Sequence, residues 1–545
     1  MKSALKWLLG SLLFCTVSLA SPAADAPDPG SCFLKNGDRW LFVGDSITDT
    51  DTYRQLLLRV LQHYHPDADL QVGNSAVAGV TSNYQEKREF VPTVVTIMLG
   101  MNDVIHEDWS FTPDLTAKTE NYRKSITEKV RTYKKLGAEV ILMTPTYTDE
   151  RFPGFFNVAM TRRFLVAFGQ VIREVAAAEH CHWVPVGEEL EAYQDTLGID
   201  QRVRPDGVHP QGLGQYQIAR SLWEHMNFAG RLDGSRKIVT KPPEPLPLGV
   251  KLASRFMNKP TDGLSLIISS PTAERVTASW SFGAARGTES LDLSPADTTW
   301  RVPLPEKLLA ELPMASSQQL IVEFSASSHR RLCVIDLART RVLHMKDGVV
   351  SGEIRSDVER PEGPLVMQWK IEDAGDELWL SSEVFDSEIY AAPTDWPFQR
   401  DGAQIWLDLR PPARFADPNP DRDIYNVMIT VRDQPRFCVT PVSWIDWRLM
   451  YALATGGEKT ATGYRWFCSV GGKISDARRL NLKDLAYFGL NITACDNDQK
   501  PPAFHAFPAQ KVAVADMVRG LNALMIVDRK GVFPGDETTN LHLFY

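Results

Sequence analysis

The sequence lacks three features that would place it quickly in a class of protein. It has no surplus of positive charge, because 59 lysine and arginine residues stand against 68 aspartate and glutamate residues, a net charge of −9. A nucleic-acid-binding protein needs a basic face to replace the counterions around phosphates, so we expect no nucleic-acid partner. The sequence also shows no internal repeat and no low-complexity tract. With 43% hydrophobic and 23% charged residues, the composition is typical of globular domains and excludes a disordered chain.

Cysteine is scarce, with seven residues in 545. No pair has the spacing of a structural zinc site, so we expect no metal and no cofactor. One of the seven, Cys15, lies in the N-terminal apolar segment described next. The remaining six allow fifteen disulfide pairings in an oxidising compartment, and the sequence does not choose among them. These six are Cys32, Cys181, Cys333, Cys438, Cys468 and Cys495.

The N-terminus has the layout of an export signal. Lys2 and Lys6 precede an apolar run from Trp7 to Ala20, and small residues follow up to Ala24. A charged start, a short apolar core and small residues are typical of a secretory signal peptide, here residues 1–24. A run of about 14 residues is shorter than the about 20 that a membrane helix needs, and no other stretch is longer. We therefore predict a secreted or periplasmic protein without an integral membrane span; an N-terminal anchor or a buried helix is the alternative.

Residues 30–230 alternate between short apolar runs and segments with a helical period. This alternation predicts an α/β domain, a parallel sheet with helices on both faces. Such sheets carry their functional residues at the carboxyl ends of the strands. The expected strands are Trp40–Val43, Leu70–Val72, Val94–Leu99, Glu139–Met143 and His182–Val186, and the expected helices are Tyr53–His63, Leu115–Leu136, Met160–Glu179 and Gln211–Met226.

The rest of the chain has a different pattern. A proline-rich linker, residues 231–250, is expected to be stiff and extended. Short alternating runs follow and long helices are scarce, so we predict two all-β domains: a small sandwich over residues 251–350 and a larger one over residues 351–545. At roughly 100–200 residues per domain, three domains suit the chain length.

Four short motifs stand at the carboxyl ends of the expected strands or in the matching loop. The first strand ends in Gly44-Asp45-Ser46, which places a serine at a helix N-terminus, although Asp and Ser also make ordinary helix caps. The segment Asn74–Gly79 follows the second strand and Gly100-Met101-Asn102-Asp103 the third. The fourth motif, Asp206-Gly207-Val208-His209-Pro210, precedes the last helix, and its carboxylate is close enough along the chain to orient the imidazole. Each motif alone is typical of a turn.

Together, in this order, the four motifs resemble the SGNH or GDSL-type hydrolase family over residues 38–228. The resemblance implies a flavodoxin-like three-layer domain and a serine esterase. It implies Ser46 as nucleophile, His209 as general base and Asp206 as the group that orients the histidine. It also implies an oxyanion hole made by the N–H groups of Ser46 and Gly79 and the side-chain amide of Asn102. Ile47 replaces the leucine that gives the family its name, an apolar exchange without consequence for the chemistry.

Motifs in the last block are similar to the family 9 carbohydrate-binding sandwich and its DOMON-type relatives. They include the segment 401–408 and Tyr464-Arg465-Trp466. A flat indole suits the apolar face of a sugar ring, but each of these residues is equally suited to the core of a sandwich. The candidates are Trp396, Trp444, Trp447 and Trp466. Asp417, Asp421 and Asp423 offer oxygen ligands for a structural Ca²⁺, with a solvated acidic loop as the simpler explanation.

The leading hypothesis is a secreted serine esterase that removes short acyl groups, acetyl above all, from a polysaccharide. A second hypothesis keeps the same catalytic domain but makes it a lipase, lysophospholipase or thioesterase for longer acyl chains. A third is a non-catalytic surface protein that binds glycans, which the intact set of catalytic positions disfavours. The oligomeric state stays open.

Overall fold

We describe the protein from a computed structural model. The described residues are 30–105, 114–149, 158–197, 203–204, 207–242, 244–314, 317–326, 329–355, 365–386, 402–409, 424–432, 438–443, 454–471, 473–475, 478–479, 482, 485–496, 503–507 and 525–544. The expected signal peptide, Asp206, the three acidic candidates for Ca²⁺, and Trp396, Trp444 and Trp447 lie outside the described residues.

The first domain contains a five-stranded sheet in which every neighbouring pair is parallel, in the order β2-β1-β3-β4-β5. Its strands are β1 Arg39–Gly44, β2 Gln71–Asn74, β3 Val94–Met98, β4 Glu139–Met143 and β5 His182–Val184. Its helices are α1 Ser46–Asp49, α2 Thr52–Tyr64, α3 Met101–Ile105, α4 Leu115–Lys135, α5 Val158–Ala178, α6 Val186–Thr196 and α7 Leu213–His225. The predicted α/β domain with a parallel sheet is confirmed.

Helices cover both faces of this sheet. All five residues of the central strand β3, Val-Val-Thr-Ile-Met, are buried, as expected when neither face meets water. Helix α2 packs against α7, and α4 packs against α5. Helix α6 was not predicted from the sequence: the strand expected to end at Val186 ends at Val184, and the helix begins directly after Pro185. Pro185 is the N-cap and makes no side-chain hydrogen bond to the first turn.

The second domain is a β-sandwich whose core lies between a three-stranded sheet, β11-β8-β6, and a sheet that runs β10-β9-β12-β13. Its elements are β6 Gly249–Leu252, β7 Phe256–Met257, β8 Ser265–Ser269, β9 Glu274–Phe282, β10 Ala285–Leu293, β11 Thr298–Arg301, β12 Ser317–Ala326, β13 His329–His344 and the short helix α8 Glu306–Ala310. The first strand begins within the expected linker. We call this unit the middle sandwich.

The third block is also built mainly of sheets. Its strands are β14 Val349–Arg355, β15 Val366–Asp373, β16 Glu377–Phe385, β17 Gly402–Asp408, β18 Ile424–Arg432, β19 Cys438–Ser443, β20 Ala454–Thr460, β21 Gly463–Gly471, β22 Lys473–Ser475, β23 Arg478–Arg479, β24 Tyr487–Asp496, β25 Ala503–Phe507, β26 Met525–Asp528 and β27 Glu537–Phe544. One sheet, β14-β15-β16-β21-β20, shares a hydrophobic core with strands β17, β24 and β26. Trp466 is 2% exposed in this core, so its ring offers no face to a sugar and packing is its role.

The expectation that all residues after 350 form one domain is wrong for the last strand. Strand β27 pairs along β13 and with β7, so it belongs to the middle sandwich rather than to the block that precedes it in sequence. Strand β13 is 16 residues long, and its last residues pair with β26 of the third block. A strand this long extends beyond one sandwich and continues the sheet into the next.

The described residues add three further observations. Cys32, Cys181, Cys333 and Cys468 are free thiols. Among the described helices, none combines the length and the apolar character needed to cross a bilayer. Within the same residues, no group of three or more histidine, cysteine, aspartate or glutamate side chains is arranged to hold a metal ion.

Candidate active site

Ser46 lies where the first strand turns directly into a helix. Strand β1 ends at Gly44, Asp45 is the N-cap, and Ser46 is the first residue of α1. The Asp45 carboxylate accepts a hydrogen bond from the N–H of Ile47 at 3.0 Å, which fixes the first turn. A Cβ on Gly44 would lie 2.1 Å from the hydroxyl oxygen of Thr48, so only glycine allows this close approach of strand and helix.

The structure brings Ser46 and His209 into direct contact. The Ser46 Oγ lies 2.8 Å from the His209 Nε2, although the two residues are 163 positions apart. Both side chains are half-buried, so the pair is accessible from solvent. A serine hydroxyl within hydrogen-bond distance of an imidazole nitrogen is the arrangement that nucleophilic catalysis requires.

The loop that carries His209 is held by backbone hydrogen bonds. The N–H of Gly207 donates to the carbonyl of Arg204 at 3.0 Å, and the carbonyl of Gly207 accepts from the N–H of Asp149 at 2.9 Å. Gly207 has a φ of +83°, in the left-handed region where a side chain would be strained. The sequence thus places a glycine where the backbone of this loop needs one.

The segment after β2 is attached to the serine turn. The side-chain amide of Asn74 donates to the carbonyl of Thr48 at 3.3 Å, and the N–H of Val77 donates to the carbonyl of Gly44 at 3.2 Å. The Asp49 carboxylate accepts a hydrogen bond from the backbone of Ala78. The turn at Ala78 and Gly79 therefore lies beside α1, and Gly79 occupies it with a φ of +79°.

Asn102 completes the connection from the third strand. It is the second residue of α3, is 6% exposed, and donates its side-chain amide to the carbonyl of Val80 at 3.0 Å. Gly100 precedes it with a φ of +130°, and a Cβ there would lie 3.3 Å from the Tyr122 hydroxyl. Hydrogen bonds thus link the serine turn, the Gly79 turn and the Asn102 helix in one continuous set.

The carboxyl of Asp45, the residue before Ser46, has a raised pKa. Burial raises its pKa from 3.8 to about 6, since few groups solvate the charged form. The hydrogen bond from the N–H of Ile47 and the positive charge of protonated His209 act in the opposite direction, and the negative charge of Asp103 adds to the rise. A carboxyl with this pKa changes its charge in the mildly acidic range.

Three side chains that build this site were not predicted from the sequence. The Gln215 side chain connects the start of α2 to the histidine loop, as described below. Asp49 holds the Gly79 turn, and Asp103 accepts hydrogen bonds from the N–H and hydroxyl of Ser82 at 2.9 and 2.5 Å. The signal for Asp103 was present, because it belongs to the third motif. No local pattern marks Gln215, since its partners come from distant parts of the chain.

Comparison with known proteins finds relatives of the first domain. Residues 42–216 match the model of the GDSL-like lipase/acylhydrolase family. An acetylxylan esterase of Geobacillus stearothermophilus is 27% identical over 219 residues, covering 36% of this chain and 96% of that protein. A crystal structure of an acetylxylan esterase from the same organism is 23% identical and covers 38% of this chain and 100% of that chain, with a TM-score of 0.30. An α/β hydrolase from the metagenome of Lake Arreo in Spain is 21% identical over 37% of this chain, with full coverage of its own chain and a TM-score of 0.30.

The first domain is a GDSL-type acylhydrolase domain. The resemblance read from the four motifs is confirmed, and the chain is a carboxylic ester hydrolase. All four motifs fall within the matched residues. The middle sandwich and the third block lie outside the match.

Proposed function

We propose that this protein is an exported esterase that removes acetyl groups from a polysaccharide through a Ser46-His209-Asp206 triad. The observation that carries the proposal is the contact between Ser46 Oγ and His209 Nε2, at 2.8 Å, inside the acylhydrolase domain. Asp206 is assigned from its motif, three residues before the histidine.

The proposed chemistry proceeds in two acyl-transfer steps. His209 Nε2 takes the proton of Ser46 as Oγ bonds to the ester carbonyl carbon. The protonated imidazole then gives that proton to the sugar oxygen as the C–O bond breaks, which leaves an acetyl-serine. Water attacks this intermediate with His209 again as base; the bond between the acyl carbon and Ser46 Oγ then breaks, the imidazolium returns the proton to Oγ, and acetate departs. The oxyanion formed in each step would be bound by the N–H groups of Ser46 and Gly79 and by the Asn102 amide.

The choice of acetyl and of a plant-type polysaccharide rests on the relatives. The match to this domain covers 96% of the relative from Geobacillus stearothermophilus, which is named an acetylxylan esterase. Export rests on the N-terminal segment, whose charged start and short apolar run are typical of a signal peptide.

The decisive experiment compares acyl chain lengths and polymers. Mature protein is incubated with acetylated xylan and acetylated pectin, and with soluble esters of acetate, butyrate and a long-chain acid; released acid is quantified beside Ser46→Ala. We expect Ser46-dependent acetate release from xylan and little turnover of long acyl chains. Preference for long chains would instead establish a lipase or thioesterase. Equal turnover by Ser46→Ala would refute the catalytic assignment.

Glycan binding by the third block is a separate part of the proposal. Trp379 and Phe467 are 39% and 42% exposed on the outer face of the sheet β14-β15-β16-β21-β20, with ring centroids 6.3 Å apart. Polar side chains surround them, among them Glu383 and Arg465, whose carboxylate and guanidinium are 2.9 Å apart. Adjacent exposed rings offer an apolar surface and the neighbouring charges offer partners for hydroxyl groups, a combination that suits a sugar chain.

A further inference from the structure

The middle sandwich packs directly on the acylhydrolase domain. Four of its buried residues belong to the same continuous hydrophobic core as the parallel sheet and its helices: Ile321, Leu332, Val334 and Phe544. Polar contacts accompany this core. The His63 Nδ1 lies 2.8 Å from the hydroxyl of Ser281, and the Tyr64 hydroxyl donates to the Glu323 carboxylate. The two units therefore form one packed body rather than two domains on a flexible connection.

The contacts fall on the two helices that follow the catalytic residues. Helix α2 begins six residues after Ser46 and presents His63 and Tyr64 to the middle sandwich at its last turn. Helix α7 begins four residues after His209 and presents Tyr216 from its first turn. The Tyr216 hydroxyl donates to the carbonyl of Leu332 at 3.1 Å.

The end of the chain completes this contact. The ring of Phe544, in the last strand, stacks on the ring of Tyr216 with centroids 6.1 Å apart and planes 26° apart. Phe544 is 2% exposed. Strand β27 is held in place by its pairing along β13. The chain's last strand thus supports the first turn of the helix that follows the histidine loop.

Gln215, the residue before Tyr216, connects the first turn of α7 to the segments that carry the catalytic pair. The Gln215 side chain donates to the carbonyl of Pro210, the residue after His209, at 2.9 Å and accepts from the N–H of Tyr53 at 3.2 Å. Movement of the first turn of α7 would therefore move the histidine loop relative to the start of α2. A displacement of about 1 Å at a catalytic pair costs on the order of a hundredfold in rate.

We propose that the middle sandwich, through Phe544 and Tyr216, positions His209 against Ser46. Phe544 and Tyr216 are positioning residues: they act on the reaction through Gln215 and the histidine loop and do not touch the reacting atoms. The proposal rests on Ser46 as the nucleophile of the proposed function.

The test uses the full chain and the variant Phe544→Ala, with Phe324→Ala as the matched control. Phe324 is fully buried in the core of the same sandwich, where it packs on Trp300, and lies outside the core shared with the acylhydrolase domain. Both changes remove the same ring from the same sandwich, so both should lower its stability by a similar amount. Only Phe544→Ala removes support from Tyr216.

Two rates are measured well below the unfolding temperature. The first is the inactivation rate by a small organophosphonate, which reports how reactive Ser46 is; the second is turnover of a soluble acetate ester. We expect Phe544→Ala to lower both the inactivation rate and kcat by about tenfold to a hundredfold with KM nearly unchanged, and Phe324→Ala to leave both close to the parent. Tyr216→Phe, which keeps the ring and removes one hydrogen bond, should show a smaller loss, and Phe544→Tyr should restore most of the rate.

Equal rates in folded Phe544→Ala and the parent protein would overturn the proposal. So would equal losses in Phe544→Ala and Phe324→Ala, which would point to stability alone. If Phe544→Ala does not fold, Tyr216→Phe decides: an inactivation rate equal to the parent's overturns the proposal, and a lower one supports it. Failure of the proposed function is distinguishable, because the parent protein would then show no labelling that depends on Ser46.

Discussion

The side-chain carbonyl of Gln215 accepts a hydrogen bond from the backbone N–H of Tyr53 at 3.2 Å, across 162 positions of sequence. Its amide donates to the carbonyl of Pro210 at 2.9 Å. Gln215 is 2% exposed, so water is not available to replace either partner. One buried side chain thereby joins the segment after the nucleophile to the loop of the base.

Substitution of Gln215 should lower both the stability of the fold and the rate of catalysis. Gln215→Leu leaves a buried N–H and a buried carbonyl without partners, which we expect to cost about 2–4 kcal/mol of unfolding free energy. We expect kcat to fall about tenfold or more with little change in KM, because the histidine loop loses its connection to α2. Steady-state kinetics and urea unfolding measure the two effects.

Gln215→Glu is the informative companion to that variant. A carboxylate still accepts from the N–H of Tyr53 but no longer donates to the carbonyl of Pro210. We expect an intermediate loss of kcat. If both variants keep the parent kcat, the connection has no role in positioning the base.

Asn102→Ala should reduce turnover without unfolding the protein. If the amide binds the oxyanion, its loss should lower kcat by roughly a hundredfold to a thousandfold. The amide also donates to the carbonyl of Val80, so a loss of about 1–3 kcal/mol in stability should accompany the change. Turnover of a soluble acetate ester and thermal unfolding, measured on the same samples, separate the two. A kcat within threefold of the parent would remove Asn102 from the oxyanion hole.

Asp45→Asn should increase stability at neutral pH. The folded protein keeps a proton on Asp45 up to about pH 6, whereas an unfolded chain releases it near its ordinary value of 3.8. Stability is therefore lost as pH rises between these two values and stays lowered above the upper one. Asparagine carries no charge and still caps the helix, so Asp45→Asn should gain about 3 kcal/mol over the parent at pH 7 and almost nothing below pH 4. Urea unfolding from pH 3 to pH 8 measures this difference.

Asp38→Asn provides a control of opposite sign. Burial acts to raise the pKa of the Asp38 carboxyl, but hydrogen bonds from Arg236, from the N–H of Lys35 and from Thr93 outweigh it and lower the pKa. Its stabilising contribution is present at neutral pH and lost as pH falls through the folded value. Asp38→Asn should therefore destabilise the protein at pH 7. The same trend in both variants would contradict the charge state assigned to Asp45.

Trp379→Ala should weaken retention on polysaccharide. The exposed ring contributes stacking of about 0.5–1.5 kcal/mol beyond its area, so we expect a loss of several-fold to about tenfold in affinity for xylan. The measurement uses Ser46→Ala as background so that the polymer stays acetylated. Val532→Ala, at an apolar position 52% exposed in the same part of the chain, should have no effect. Equal binding by all three proteins would exclude this face as a glycan site.

Local patterns predicted most of the first domain. The strand expected at Glu139–Met143 is observed with those bounds, and the helix expected at Leu115–Leu136 ends one residue earlier. Buried strands and amphipathic helices can be predicted from roughly ten to twenty consecutive residues, because the spacing of their apolar residues is a local pattern. The helix after Pro185 was not predicted because its first residue, Val186, continued the apolar pattern of the strand.

The sequence by itself determined the parallel sheet, the order of the four motifs, and Ser46 and His209 as partners, because strand order in an α/β domain carries motif residues to one edge of the sheet. The tertiary structure decided the rest. Only there is Trp466 seen to be buried in a core and β27 to pair with the middle sandwich. Only there does Gln215 contact the histidine loop and Phe544 contact Tyr216. Each of these depends on contacts between residues far apart in sequence. No local periodicity records which buried surfaces will meet, so only the folded chain reveals them.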